Sequence, residues 1–244
     1  RQNNMPSLWL KRKPIIEHAF GIDVSDGSIE YVNCFQKRDG TVIIMETARI
    51  ELPHDAIVEG QLVKPTLVHE ALRKLFAAAH VHPDGSAVVT ALPDVQVLTS
   101  CIPLPEASPY TYTELRAFAS HALKRLNFHV SSPVHTWHTL RDGQVQQLFL
   151  YITSRLYVKQ WKDFFKEHRM HVAALEMESL ALARSLIHRP LHGEFVGVID
   201  YGFHQTNVSI FDRSGMRFSH VFDVGGQALT EQVMRTLNCD RVYA

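Results

Sequence analysis

The stretch "GIDVSDGSIEYV", residues 21–32, is an apolar run closed by Asp23, a tight polar turn and a second apolar run. Far downstream, "VIDYGFHQTNVSIF", residues 198–211, repeats the arrangement around Asp200. In the first, Ser25, Asp26 and Gly27 turn the chain and Ser28 opens the return strand; in the second, Gly202, His204 and Gln205 lead to Thr206. One such hairpin is ordinary turn chemistry, because Asp, Gly and Ser are common turn formers. Two of them, each opening a β-β-β-α block, constrain the chain further. Turn amides can converge on an anion and Ser or Thr hydroxyls can donate to phosphate oxygens. A carboxylate at a strand end can hold Mg²⁺ through water, since this ion keeps much of its hydration shell. Facing each other, the two hairpins would grip a polyphosphate from both sides, with Asp23 and Asp200 on the ion. The alternative is two unrelated turns.

The elements between them support a divided chain. Strands at 20–24 and 28–35 and "TVIIMETARIEL" form a meander, and "PHDAIVEGQLVKP" reads as a loop. Leu67, Val68, Ala71, Leu72, Leu75 and Phe76 recur at helical spacing from about Thr66, and "SAVVTALP" returns as a buried strand. A second unit follows: strand "VQVLTSCIPLP", a helix opened by a Thr111–Glu114 capping box with Leu115, Phe118, Ala122, Leu123 and Leu126 on one face, a hairpin around "RDGQ", and a helix at 155–168. Strand "HVAALEM" and helix "ESLALARSLI" precede the second meander, and another helix begins after Gly225-Gly226. The expected division is a tail at 1–17, a first subdomain at 18–93, an inserted α+β subdomain at 94–170, a return to the first at 171–193, and the start of another at 194–244. That last block reads as incomplete, the chain ending as its architecture should continue.

Charge narrows the partners. The 25 Lys and Arg balance the 25 Asp and Glu, which gives no basic face for nucleic acid. Cys34, Cys101 and Cys239 lie far apart, against a disulfide framework or thiolate zinc site, and fit a reducing, cytosolic compartment. No apolar run approaches the ~18 residues that cross a bilayer. The first residues lack a signal-peptide core, so membrane association is expected only through partners. The pairs His80/His82, His135/His138, His168/His171 and His188/His192 have no Cys or carboxylate in a zinc pattern beside them and read as scattered histidines.

Two Asp-tipped hairpins opening matching halves resemble the actin-like ATPase superfamily. "FGIDVSDGSIEYV", "AIVEGQLVKPTLVHEAL", "AVVTALPDVQVLTSCIPLP", "EMESLALAR" and "DVGGQALTEQV" together resemble the PilM family of type IV pilus assembly proteins, itself similar to the cell-division family FtsA. The resemblance runs from about Phe20 to Asn238. It implies an α/β, actin-like (ribonuclease H-like) ATPase fold with an inserted small α+β subdomain of the SHS2 type, and ATP and Mg²⁺ in the interdomain cleft. Asp23, Ser25 and Ser28 would lie on the first phosphate hairpin, and Asp200, Gly202 and Thr206 on the second. Gly225 and Gly226 match paired glycines before a helix, or form only a tight turn. Glu178 falls where the related chaperone ATPases carry a carboxylate at a helix start beside the catalytic water, which makes it the candidate general base, or is a helix-start carboxylate favoured by the macrodipole. Ser25 stands where Gly is common and Glu30 where a basic residue is common; Glu30, with Asp26 in the same turn, weakens the electrostatic case for a polyanion. Because the expected adenine-contacting segment and last subdomain fall beyond Ala244, binding is expected rather than efficient turnover. The implied role is a cytoplasmic scaffold, peripheral at the inner membrane face, of type IV pilus or related type II secretion assembly. It would hold the tail of a PilN-like inner-membrane partner and meet other pilus assembly components. The rivals are an FtsA-like division protein and an actin-fold sugar or acetate kinase.

Overall fold

A computed structural model describes residues 19–105, 110–125, 130–142, 145–187 and 191–243. The expected tail at 1–17, Leu126, His188 and the centre of the "RDGQ" turn lie outside the described residues. Strands β1 (Ala19–Val24), β2 (Ser28–Gln36) and β3 (Val42–Glu51) form the antiparallel meander, with Asp23 opposite Glu30 and Glu30 opposite Arg49. Alternation sends Ile22, Val24, Ile29 and Tyr31 into the core and leaves Asp23 and Glu30 on the other face.

The segment expected as a plain loop contains a small hairpin, β4 (Ile57–Val58) and β5 (Gln61–Leu62). Strands of two residues have no periodicity to read. The hairpin is held from outside: Asp26 accepts hydrogen bonds from the amides of Glu59 (2.9 Å) and Gly60 (3.0 Å). Helix α1 (Pro65–Ala78) starts on a proline, which needs no amide partner there, and buries Val68, Ala71, Leu72, Leu75 and Phe76. Strand β6 (Ala87–Leu92) returns parallel to β1, as a helical crossover allows.

Strand β7 (Leu98–Pro103), α2 (Tyr112–Arg125), β8 (Pro133–Asp142) and β9 (Val145–Ser154) follow, the strands ordered β7-β9-β8. The capping box forms: the Thr111 amide donates to Glu114 (2.7 Å), whose amide donates back to Thr111 Oγ1 (3.3 Å). The sheet is apolar on both faces. Leu148, Leu150 and Ile152 form a core with Ala119 and Ala122 of α2, while Phe149 and Tyr151 join the main core. Helix α3 (Arg155–Glu167), capped by Ser154 Oγ, also belongs to the main core through Tyr157, Trp161, Phe164 and Phe165. The helix, expected within the unit at 94–170, contacts β9 of that unit and also reaches α1, where Phe164 stacks on His69 at 4.6 Å. Tyr157 Oη donates to Gly60 O (3.0 Å), so α3 also pins the β4–β5 hairpin.

Strand β10 (His171–Met177) completes the first sheet in the order β10-β6-β1-β2-β3, and α4 (Glu178–Leu186) leads to the second. There β11 (Val196–Tyr201), β12 (Thr206–Asp212) and β13 (Gly215–Phe222) are antiparallel, and α5 (Gly226–Leu237) follows. Val198, Phe211 and Met216 share a core with Leu140, Phe149 and Tyr151, so the inserted sheet bridges both halves. The opposite face of the second sheet is open, with Ile199, Phe218 and Phe222 exposed.

The bridge is tight at the β12–β13 turn. Gly215 has φ +132°, and a Cβ there would lie 2.6 Å from Nε2 of His138, whose Nδ1 is hydrogen-bonded with Tyr151 Oη at 3.0 Å. Gly215→Ala is expected to destabilise by about 2–3 kcal/mol in urea unfolding, strain and clash adding. Gly85→Ala, also at positive φ but with no neighbour within 4 Å, is expected to cost about 1 kcal/mol.

Candidate functional site

Both hairpins deliver their acid to the same place. In the first turn the Ser25 amide donates to Ser28 O (2.9 Å) and the Ser28 amide to Ser25 Oγ (3.2 Å). The Ser28 hydroxyl donates to Glu30 at 2.6 Å, and Glu30 pairs with Arg49 at 3.4 Å. Asp26, which the sequence places against the phosphates, is turned away to hold the β4–β5 turn. Gly27 faces open space, a Cβ meeting nothing within 4 Å. In the second turn the Gly202 amide donates to Gln205 O (2.9 Å), and the Thr206 hydroxyl to Val224 O (2.6 Å).

The paired glycines have a packing reason. A Cβ on Gly225 would sit 2.5 Å from Phe203 O and 2.7 Å from Gly202 O. Only a residue without a side chain lets α5 abut the second turn, where the amides of Gly226 and Gln227 donate to Gly202 O and Phe203 O. Those two amides are therefore spent on the turn.

Asp94 is a member of the site that the sequence reading missed, because a "PD" pair at a strand end reads as a turn. It sits in a 3₁₀ turn after β6 and is 6% exposed. Asp23, Asp94, Glu178 and Asp200 then act on one another. Burial, then Glu30 and Asp200, raise the Asp23 pKa to about 6. Burial raises Asp94 to about 7 against hydrogen bonds from Ser179, with a further push from Asp200. Glu178 stands well above the carboxylate range through burial and then the charges of Asp23, Asp94 and Asp200. Burial raises Asp200 as well. Asp23 keeps solvent access, and an open depression of about 420 Å³ on the β1–β3 face runs from Asp23 and Glu30 over Gly21, Val32, Thr47 and Arg49.

A family profile described as "Type IV pilus assembly protein PilM" matches residues 21–243. The chain belongs to the PilM family. Among solved structures it is similar to the "PilM-PilN type IV pilus biogenesis complex", at 17% identity and a TM-score of 0.75 over 93% of this chain and 67% of that one. It thus spans about two thirds of that relative. It also resembles the cytoplasmic domain of EpsL, an inner membrane component of the type II secretion system of Vibrio cholerae, at 13% identity and TM-score 0.53, covering 91% of this chain and 77% of that one. MreB 5 of Spiroplasma citri bound to AMPPNP aligns at 10% identity and TM-score 0.50, over 90% and 56%. A comparison with curated proteins gives no match. PilM-family membership and the actin-like fold expected from the hairpin repeat therefore stand. Among the described residues no helix is long and apolar enough to cross a membrane.

Crowded acids make a pH prediction for the free protein. With its folded pKa above the unfolded value, Asp23 contributes stability below about pH 4 that is lost as pH rises through about 6. Asp23→Asn mimics the protonated acid. It is expected to stabilise the ligand-free chain by about 1 kcal/mol at pH 8, a value reduced for solvent screening at the cleft mouth, and to be near neutral at pH 4. Urea unfolding at the two pH values reads this; destabilisation at pH 8 contradicts it.

Proposed function

We propose that this chain is a nucleotide-responsive scaffold of type IV pilus or related secretion assembly, holding ATP and Mg²⁺ in its cleft and the tail of a PilN-like inner-membrane partner. It would work in the cytoplasm at the inner membrane face, alongside other pilus assembly components. The convergence of Asp23, Glu178 and Asp200 from both halves carries the nucleotide part. Family membership carries the assembly part.

A divalent ion suits this donor set, because acids that raise one another's pKa are relieved by added positive charge. Among the described residues no three Asp, Glu, His or Cys side chains are placed to hold an ion directly, so a hydrated Mg²⁺ suits it best, with Asp23 and Asp200 binding through water. When bound, the ion would neutralise phosphate charge. Ser25, Ser28, Gly202 and Thr206 would shape the two turns around the phosphates, and Gly225 and Gly226 would seat α5 against the second. Glu178 is the candidate base, its pKa held well above the ordinary carboxylate range by burial and then by Asp23, Asp94 and Asp200.

Fluorescent ATP is expected to bind in the presence of Mg²⁺. Asp200→Ala should weaken it about tenfold or more, and Glu178→Gln should keep affinity within about threefold. No saturable binding by the folded chain would remove the nucleotide reading. A synthetic partner-tail peptide should bind as well; its failure would remove the scaffold reading, and sugar- or acetate-dependent turnover would put a kinase in its place.

A further inference from the structure

Asp94 does more than add charge. Asp94, Ser179 and Asn207 are all buried, at 6%, 2% and 8% exposure, and come from three distant parts of the chain. Oδ1 of Asp94 accepts from the Ser179 hydroxyl at 3.1 Å and its amide at 3.4 Å. Oδ2 accepts from Nδ2 of Asn207, and the Ser219 hydroxyl donates to Oδ1 of Asn207 at 3.4 Å. A carboxylate can accept on both oxygens, and the Asn207 amide offers a donor to one neighbour and an acceptor to the other. A buried network of this kind fixes geometry, because each broken bond leaves an unpaired polar group in a low dielectric.

The partners stand next to the acids of the cleft. Ser179 follows Glu178 at the start of α4, and Asn207 lies opposite Asp200 in the β11–β12 register. We propose that Asp94 is a positioning residue that locks the start of α4 and the second hairpin onto the first half of the cleft, setting Glu178 and Asp200 relative to Asp23. Its consequence for ligand binding rests on the nucleotide reading; the lock itself does not.

The test is a swap on the full chain, read by amide hydrogen exchange and by binding of fluorescent ATP with Mg²⁺. Asn207→Asp sets two buried carboxylates against each other and should raise exchange about tenfold or more in residues 178–182 and 198–209, leaving the β7-β9-β8 sheet protected. Adding Asp94→Asn moves the carboxylate across the same contact and restores a donor facing an acceptor. The double variant should recover protection, and any nucleotide affinity, to within about threefold of wild type. Recovery of folding by the double variant where Asn207→Asp does not fold supports the lock equally. A double variant no better protected than Asn207→Asp, or Asn207→Asp with wild-type exchange in both segments, overturns it. Loss and recovery of exchange protection in a chain that binds no nucleotide would leave the lock standing and remove only the nucleotide reading.

Discussion

Asp23, Asp94, Glu178 and Asp200 would separate if the chain let them. Burial costs each of them most, and the charges of neighbouring acids add to it at Asp23, Asp94 and Glu178. They stay together because each is fixed to the end of an element whose own core holds it: β1 through Ile22 and Val24, β6 through Val88 and Leu92, α4 through Ala183, and β11 through Val198. The raised pKa values of Asp23 and Asp94 are the mark of that conflict. The cleft is thus formed by apolar packing at a distance from it and carries the electrostatic strain itself.

The inserted sheet makes the packing continuous. A sheet with one apolar face could serve only its own helix. This one presents Leu148, Leu150 and Ile152 to α2 and Phe149 and Tyr151 to the main core, where Phe211 and Met216 of the second sheet also pack. Helix α3 runs back over α1 and pins the β4–β5 hairpin, which Asp26 holds from the first turn. Whatever moves the inserted unit therefore meets both hairpins.

Local rules made much of this legible. The period-2 runs around Asp23 and Asp200, the helical spacing of Val68 to Phe76 and the Thr111–Glu114 box are all short-range signals. The rest depends on distant partners. Asp94 resembles any turn aspartate until Ser179 and Asn207, 85 and 113 residues away, close on it. Asp26 reads as a charge facing phosphate until the amides of Glu59 and Gly60 claim it. The hydroxyls of Ser28 and Thr206 look free in the sequence, yet they donate to Glu30 and to Val224 O. Helix α3 was visible as a helix, but which core its Trp161, Phe164 and Phe165 would join was not.

On the proposed nucleotide binding, Asp23 and Glu178, whose pKa values are raised by burial and by neighbouring acids, give up protons to a cation–nucleotide complex. Calorimetric titration of the chain with preformed Mg-ATP near pH 7, in buffers of differing ionisation enthalpy, counts those protons directly. Net proton release on binding is expected, growing as pH falls from 8 toward 6.5 and reduced in Asp23→Asn. Binding with no proton exchange, or with uptake, would contradict it.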